Sequence, residues 1–390
     1  MKQEIINHLS IIEEEIHKIS KFLYEYPEES FNEHKAHSYL TNILKENNFT
    51  IQENFLDIST AFMAQYGEGH PKICYICEYD CSCKEGHILG SNLISSMSIG
   101  AAIGLSKVIP KTGGSVILLG CPGEFLGGTK VTMAKQGVFD DIDIILMAQP
   151  SFKTANCCSS PALLPIKITH GCDNYYCFEK NKKISTLDVS LYILNSINTI
   201  LKAFPSTCSI DKISMHGKIV PNIAPDNIVT TFTIEAPNLD MAEEIRSKII
   251  KVISAFDDFT GLSSKIELSE VPYDDFICSK TLCRILSHNL KEVGIIDIEE
   301  DSELNYGLSL GTVSHKVPSI RFLINISERN SIKYACKEFG EATLSSFAKE
   351  KVLNTTKALA LTGLDLISQP NLISEARQEL QNTIRKKTLG

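Results

Sequence analysis

Three carboxylates stand where an apolar run ends. Glu78 and Asp80 close the run Lys72 to Tyr79, and Glu124 follows the run Gly114 to Cys121. A carboxylate so placed can take or give a proton. The spacing of two puts Glu78 and Asp80 on one face of an extended segment. Glu124 is either a functional acid or base, or a carboxylate that accepts backbone N–H bonds. Thiols form the second group: Cys74, Cys77, Cys81 and Cys83 give C-x2-C and C-x-C spacings that suit metal ligation. On a strand, however, Cys74 and Cys77 point to opposite faces, so buried, incidental thiols are the simpler account. Cys83 and His87, four apart, permit a nucleophile and base pair if their loop folds suitably. Cys157 and Cys158 are adjacent, and one of them should be buried in a strand. Gly127 and Gly128 offer either backbone amides for an anion at a helix start or a tight turn.

The elements that would position these groups follow from periodicity. Between Lys72 and Pro150, strands at Lys72 to Tyr79, Gly114 to Cys121 and Ile142 to Gln149 alternate with helices at Ile94 to Val108 and Thr129 to Gly137. Strands joined by helices run parallel with right-handed crossovers, and ligands of such sheets sit beyond the strands' carboxyl ends. From Leu164 to Phe256 the texture changes to strand, helix, strand, helix, the size of a small α+β domain. Lys280 to Gly294 and Glu338 to Leu366 are then helical, with a strand at Ser319 to Ile326 between them. The fold class expected is α/β: a mostly parallel sheet covered by helices, built from residues 1–165 and 280–390, interrupted by an inserted α+β domain, 166–279.

Composition excludes several classes of function. The chain has 390 residues, 38 basic against 47 acidic, and a net charge of −9. With no basic block, neither nucleic acid nor an anionic membrane is expected as a partner. Met1 to Ser20 is amphipathic, with Glu13, Glu14 and Glu15 between isoleucines, and predicts a surface helix rather than a signal peptide. No apolar run approaches the roughly 20 residues of a spanning helix. Thirteen cysteines, an odd number without repeating spacing, fit reduced thiols and a cytoplasmic location.

From Tyr24 to Leu366 the sequence resembles the dinuclear-zinc amidohydrolases of the aminoacylase and carboxypeptidase G type, in particular the N-acyl-amino-acid and p-aminobenzoyl-glutamate hydrolases. The resemblance is carried by Tyr26-Pro-Glu-Glu-Ser-Phe, Glu78-Tyr-Asp80, Gly86-His-Ile-Leu-Gly-Ser-Asn92, Leu119-Gly-Cys-Pro-Gly-Glu124, Gly127-Gly128, His216-Gly217, Pro221-Asn222 and Gly311-Thr-Val-Ser-His-Lys-Val-Pro. It implies a zinc-binding domain interrupted by a lid that dimerises. It also implies that Glu124 is the general base, that Asp80 orients a metal ligand, and that His216 and Asn222 reach the substrate of a neighbouring subunit.

Five family ligand positions carry other residues here: Leu89 for Cys, Ser91 for His, Phe125 for Glu, Gln149 for His and Ala335 for His. Ser309 stands where an aspartate is common. No metal cofactor is therefore expected, although zinc is what the family implies. Zinc lowers the pKa of bound water from 15.7 to about 7. A carboxylate near 4.3 facing ordinary water is mismatched by about 11 units, or roughly 15 kcal/mol. Three functions follow as expectations. One is a metal-free pseudoenzyme whose pocket (Glu124, His216, Asn222, Asp80, Gln149, Ser91, Gly127, Gly128, Ser309) holds a peptide-like or N-acyl-amino-acid ligand, or whose surface holds a partner. The second is a repurposed metal-independent enzyme acting on an amide or acyl substrate through Glu124 with His216 or a cysteine. The third is a residual metallohydrolase.

Overall fold

The computed structural model describes residues 1–82, 85–171, 184–217, 227–328 and 332–389. The chain divides into two compact units: Met1–Ser159 with Ile277–Glu303 and Thr312–Gly390, and Ser160–Phe276 with Leu304–Gly311.

The first unit is built on an eight-stranded sheet. Its strands are β1 (Thr50–Glu53), β2 (Phe62–Glu68), β3 (Lys72–Cys77), β4 (Gly114–Gly120), β5 (Ile144–Ser151), β6 (Ala155–Ser159), β11 (Glu299–Glu303) and β12 (Ser319–Asn325). They lie in the order β1-β2-β4-β3-β5-β12-β6-β11. The central strands β4, β3, β5 and β12 are parallel, and β1 and β2 are antiparallel. β3, β4 and β5 are buried on both faces, which is why they show continuous apolar runs rather than alternation.

One face is covered by the helix Ser91–Ser106, buried at every position, and by the helix Ser346–Ser368. Side-chain size allows this approach: a Cβ at Gly100 would lie 2.7 Å from Thr356 and 3.1 Å from Ile16. The N-terminal segment departs from expectation. It forms two helices rather than one, Lys2–Ile11 and Glu13–Glu25, whose apolar face, with Ile5, Leu9, Ile16 and Ile19, packs into the main core as an amphipathic pattern requires. Glu338 to Leu366 likewise divides into Lys337–Ala342 and Ser346–Ser368. Ser345 caps the second helix by accepting the Ala348 N–H at 3.1 Å.

The second unit has a four-stranded antiparallel sheet made of β7 (Ala162–Gly171), β8 (Ser209–Gly217), β9 (Asn227–Ala236) and β10 (Ser263–Leu268), in the order β10-β7-β9-β8. The helices Thr186–Leu201 and Leu239–Thr260 pack on it through Val189, Ile193, Ile197, Ile245, Ile249 and Ile253. Among the described residues no helix is long and apolar enough to cross a membrane.

Candidate functional site

The carboxyl ends of β3 and β4 bring Glu78 and Glu124 to one buried cation. β4 ends at Gly120, the chain turns through Pro122 and Gly123, and Glu124 opens a single helical turn, Glu124–Leu126. The next helix, Thr129–Lys135, buries Lys130 completely. The Lys130 Nζ lies 2.6 Å from a Glu78 oxygen and 2.6 Å from a Glu124 oxygen. Burial alone would lower the Lys130 pKa. Glu124 and Glu78 more than offset it and raise it above the usual value, so the ammonium stays charged.

Asp80 holds the turn that carries Glu124. One carboxylate oxygen accepts the Ser30 hydroxyl at 2.7 Å and the Phe125 N–H at 3.0 Å. Burial pushes its pKa up to about 6, against the opposing pull of those two donors. The same turn is fixed from below by Glu33, which accepts the Gly123 N–H at 2.9 Å. Gly123 has φ +76°, and a Cβ there would stand 2.3 Å from the Phe31 ring, so only glycine fits. Ser91 begins the long buried helix, its Oγ 2.7 Å from both the His87 Nδ1 and the Asp80 carbonyl. Burial pulls His87 down to about 4. The neutral ring donates from Nε2 to the Leu23 carbonyl at 2.9 Å, leaving Nδ1 to accept from Ser91, whose alternative acceptor is the Asp80 carbonyl.

Gln149, near the end of β5, is held on three sides. Its Nε2 donates to the Leu89 carbonyl at 2.8 Å and to the Tyr334 hydroxyl at 3.0 Å. Its Oε1 accepts from the guanidinium of Arg321, a buried cation on the neighbouring strand β12. Ala335 follows Tyr334 with φ +59°. The positions singled out from the sequence are thus linked: Ser91 to Asp80, Asp80 to Phe125, Leu89 to Gln149, and Gln149 to the residue before Ala335. Phe125 itself is 38% exposed.

Two other expected site residues belong to the second unit: His216 is exposed near the end of β8, and Ser309 is buried in Leu304–Gly311. Asn222 and Cys83 fall outside the described residues. The Gly128 N–H is bonded to the Gly123 carbonyl at 3.0 Å, and Gly127 and Gly128 have φ +95° and +67°, as a tight turn requires. Cys74, Cys77 and Cys81 are buried thiols. Burial raises Cys74 and Cys77 well above the ordinary thiol value. Lys130 and Arg321 escaped sequence reading. Their one signal was a lone charge inside an apolar stretch, Thr129 to Ala134 and Ser319 to Ile324.

No family model matches the chain. It is 27% identical over 416 aligned positions to the Xaa-Arg dipeptidase of Mus musculus, covering 100% of this chain and 94% of that protein. It is 27% identical over 264 positions to a p-aminobenzoyl-glutamate hydrolase polypeptide of Escherichia coli, covering 60% of this chain and 53% of that one. In sequence the chain is similar to a dipeptidase and to an aminobenzoyl-glutamate hydrolase. Its fold agrees with that of a dinuclear metal-binding peptidase of Bacillus subtilis, at a TM-score of 0.66 and 14% identity over 90% of this chain and 99% of the other. It also agrees with an aminobenzoyl-glutamate utilization protein of Klebsiella pneumoniae, at a TM-score of 0.70 and 10% identity over 92% and 97%.

The donors of this relative do not fit a pair of divalent cations. At the positions expected to hold metal stand the Ser91 hydroxyl and the Gln149 amide, and Leu89, Phe125 and Ala335 offer no side-chain ligand. Glu78 and Glu124 already share an ammonium, and Gln149 accepts from a guanidinium. A dication would have to displace those cations from the carboxylate and amide oxygens that already hold them.

Proposed function

We propose that this chain binds a peptide-like or N-acyl-amino-acid ligand at the carboxyl ends of β3, β4 and β5 without metal-assisted hydrolysis. One observation carries the reading: the Lys130 ammonium stands between the Glu78 and Glu124 carboxylates, 2.6 Å from each. A base must accept a proton, and a carboxylate paired to a buried ammonium is a weaker base than a lone one. Glu124 is then an anchor of the turn and not a water activator. The ligand class follows from the relatives, whose names describe dipeptide and aminobenzoyl-glutamate hydrolysis. Pairing of two copies through the inserted domain belongs to the same proposal. Leu187, Leu191 and Tyr192 are exposed along the helix Thr186–Leu201, an apolar stripe that a second copy could cover.

Calorimetric titration with dipeptides ending in arginine and with N-acyl amino acids, run beside a chromatographic hydrolysis assay, tests the reading. Saturable binding that a chelator leaves unchanged, with no product formed in the presence of zinc or manganese, is the expected outcome. Chelator-sensitive hydrolysis of any of these compounds would sink it, and would place the chain with the dipeptidases that it resembles.

A further inference from the structure

A second cluster lies far from these carboxylates in sequence. Cys157 on β6, Cys278 just ahead of the helix Lys280–Glu292 and Cys283 in that helix's first turn converge in the first unit, their sulfurs all within 4.8 Å of one another. The Cys278 and Cys283 sulfurs are 3.4 Å apart. Among the described residues no other three ligand atoms of His, Cys, Asp or Glu come so close. The arrangement is held from several directions. Cys278 forms a parallel bridge with Ser319, the Ser279 N–H donates to the Ser319 carbonyl at 3.1 Å, and Cys283 donates to the Asn156 carbonyl at 3.5 Å. The adjacent Cys158 points the other way, its thiol donating to the Arg321 carbonyl at 3.2 Å, so the pair Cys157-Cys158 sends one sulfur to the cluster.

We infer that Cys157, Cys278 and Cys283 form a trigonal site for a soft, thiophilic cation of the copper(I) type. With metal–sulfur bonds of about 2.3 Å, three sulfurs around one ion stand about 4 Å apart, a spacing reached here by small side-chain adjustments. Thiolates select soft cations. Copper(I) accepts three of them, whereas a closed structural zinc site needs a fourth protein ligand. The binding step balances without redox chemistry: three S–H bonds break, three metal–sulfur bonds form, and three protons go to solvent.

The experiment is an anaerobic titration of the reduced full-length protein with copper(I) against a competing chelator. One equivalent held tightly is expected. Each of Cys157→Ser, Cys278→Ser and Cys283→Ser should weaken it by more than about 100-fold, the upper end of what a lost outer-shell partner costs. Cys336→Ser should leave it unchanged. Because a serine variant could fail to fold, alkylation of the wild-type protein with peptide mapping provides a second readout. Copper(I) should shield Cys157, Cys278 and Cys283 together and leave Cys336 open. Absence of a tight equivalent, shielding that omits any of the three, or equal loss in the Cys336 variant would overturn the site.

Discussion

Lys130 is the residue that most separates this molecule from what its inherited motifs lead one to expect. A buried ion pair contributes little relative to an apolar replacement, but removing one partner strands a charge. Lys130→Ala should therefore cost about 3–5 kcal/mol in urea denaturation, because Glu78 and Glu124 would face each other unneutralised. The triple change Lys130→Met, Glu78→Gln, Glu124→Gln should recover most of that loss. If the single variant unfolds no earlier than wild type, the ammonium is not what holds the two carboxylates. Asp80 gives a prediction in pH. Its folded pKa, about 6, lies above the unfolded value of about 3.9, so the native state binds the extra proton between those limits. Its contribution to stability is fully present below about pH 4 and is lost as pH rises through about 6. Comparing wild type with Asp80→Asn across pH 4 to 7 should show the variant gaining up to about 3 kcal/mol toward neutrality. A flat difference would mean that Asp80 is ionised throughout. The carboxylates were legible in the sequence by their place after apolar runs. The cations that answer them were not, because a lone lysine or arginine in an apolar segment does not reveal which distant carboxylate or amide it meets.

At the scale of elements, strands buried on both faces were readable because β3, β4 and β5 are continuous apolar runs. β1, β2, β6, β8 and β11 carry polar residues or cysteines, and their existence depends on pairing partners far along the chain. Helix ends were legible to within a few residues where a cap or a glycine marks them, as Ser185 does for Thr186–Leu201. The N-terminus of Lys280–Glu292 shows what could not be seen. Glu379, about a hundred residues away, accepts the Ser279 hydroxyl at 2.9 Å and the Lys280 and Thr281 N–H groups at 2.8 and 3.1 Å. Glu379→Ala should destabilise the protein by about 1–2 kcal/mol, the worth of a helix cap, with faster amide exchange confined to the first turn of that helix. Exchange that rises equally along the whole helix would argue against a local cap.

For the whole molecule, each unit has its own core, Ile5 to Ala376 in the first and Leu164 to Ile253 in the second. Two cores need not melt together. Ile245→Ala, in the core of the second unit, should lower one calorimetric transition by the amount of a large-to-small core change, about 2–5 kcal/mol, and leave the other in place. A single transition that shifts as one would mean that the units are energetically coupled. The sequence by itself determined the α/β character, the parallel strands around the carboxylates and the separate texture of the inserted segment. Those properties are local, set by side-chain period and residue chemistry. Only the tertiary structure decided that Lys130 bridges Glu78 and Glu124, that Arg321 and Tyr334 hold Gln149, and that Cys157 meets Cys278 and Cys283. The contacts of Lys130 with Glu78, of Arg321 and Tyr334 with Gln149, and of Cys157 with Cys278 and Cys283 join segments far apart in the chain, and local sequence pattern carries no information about which buried charge or sulfur will be its neighbour.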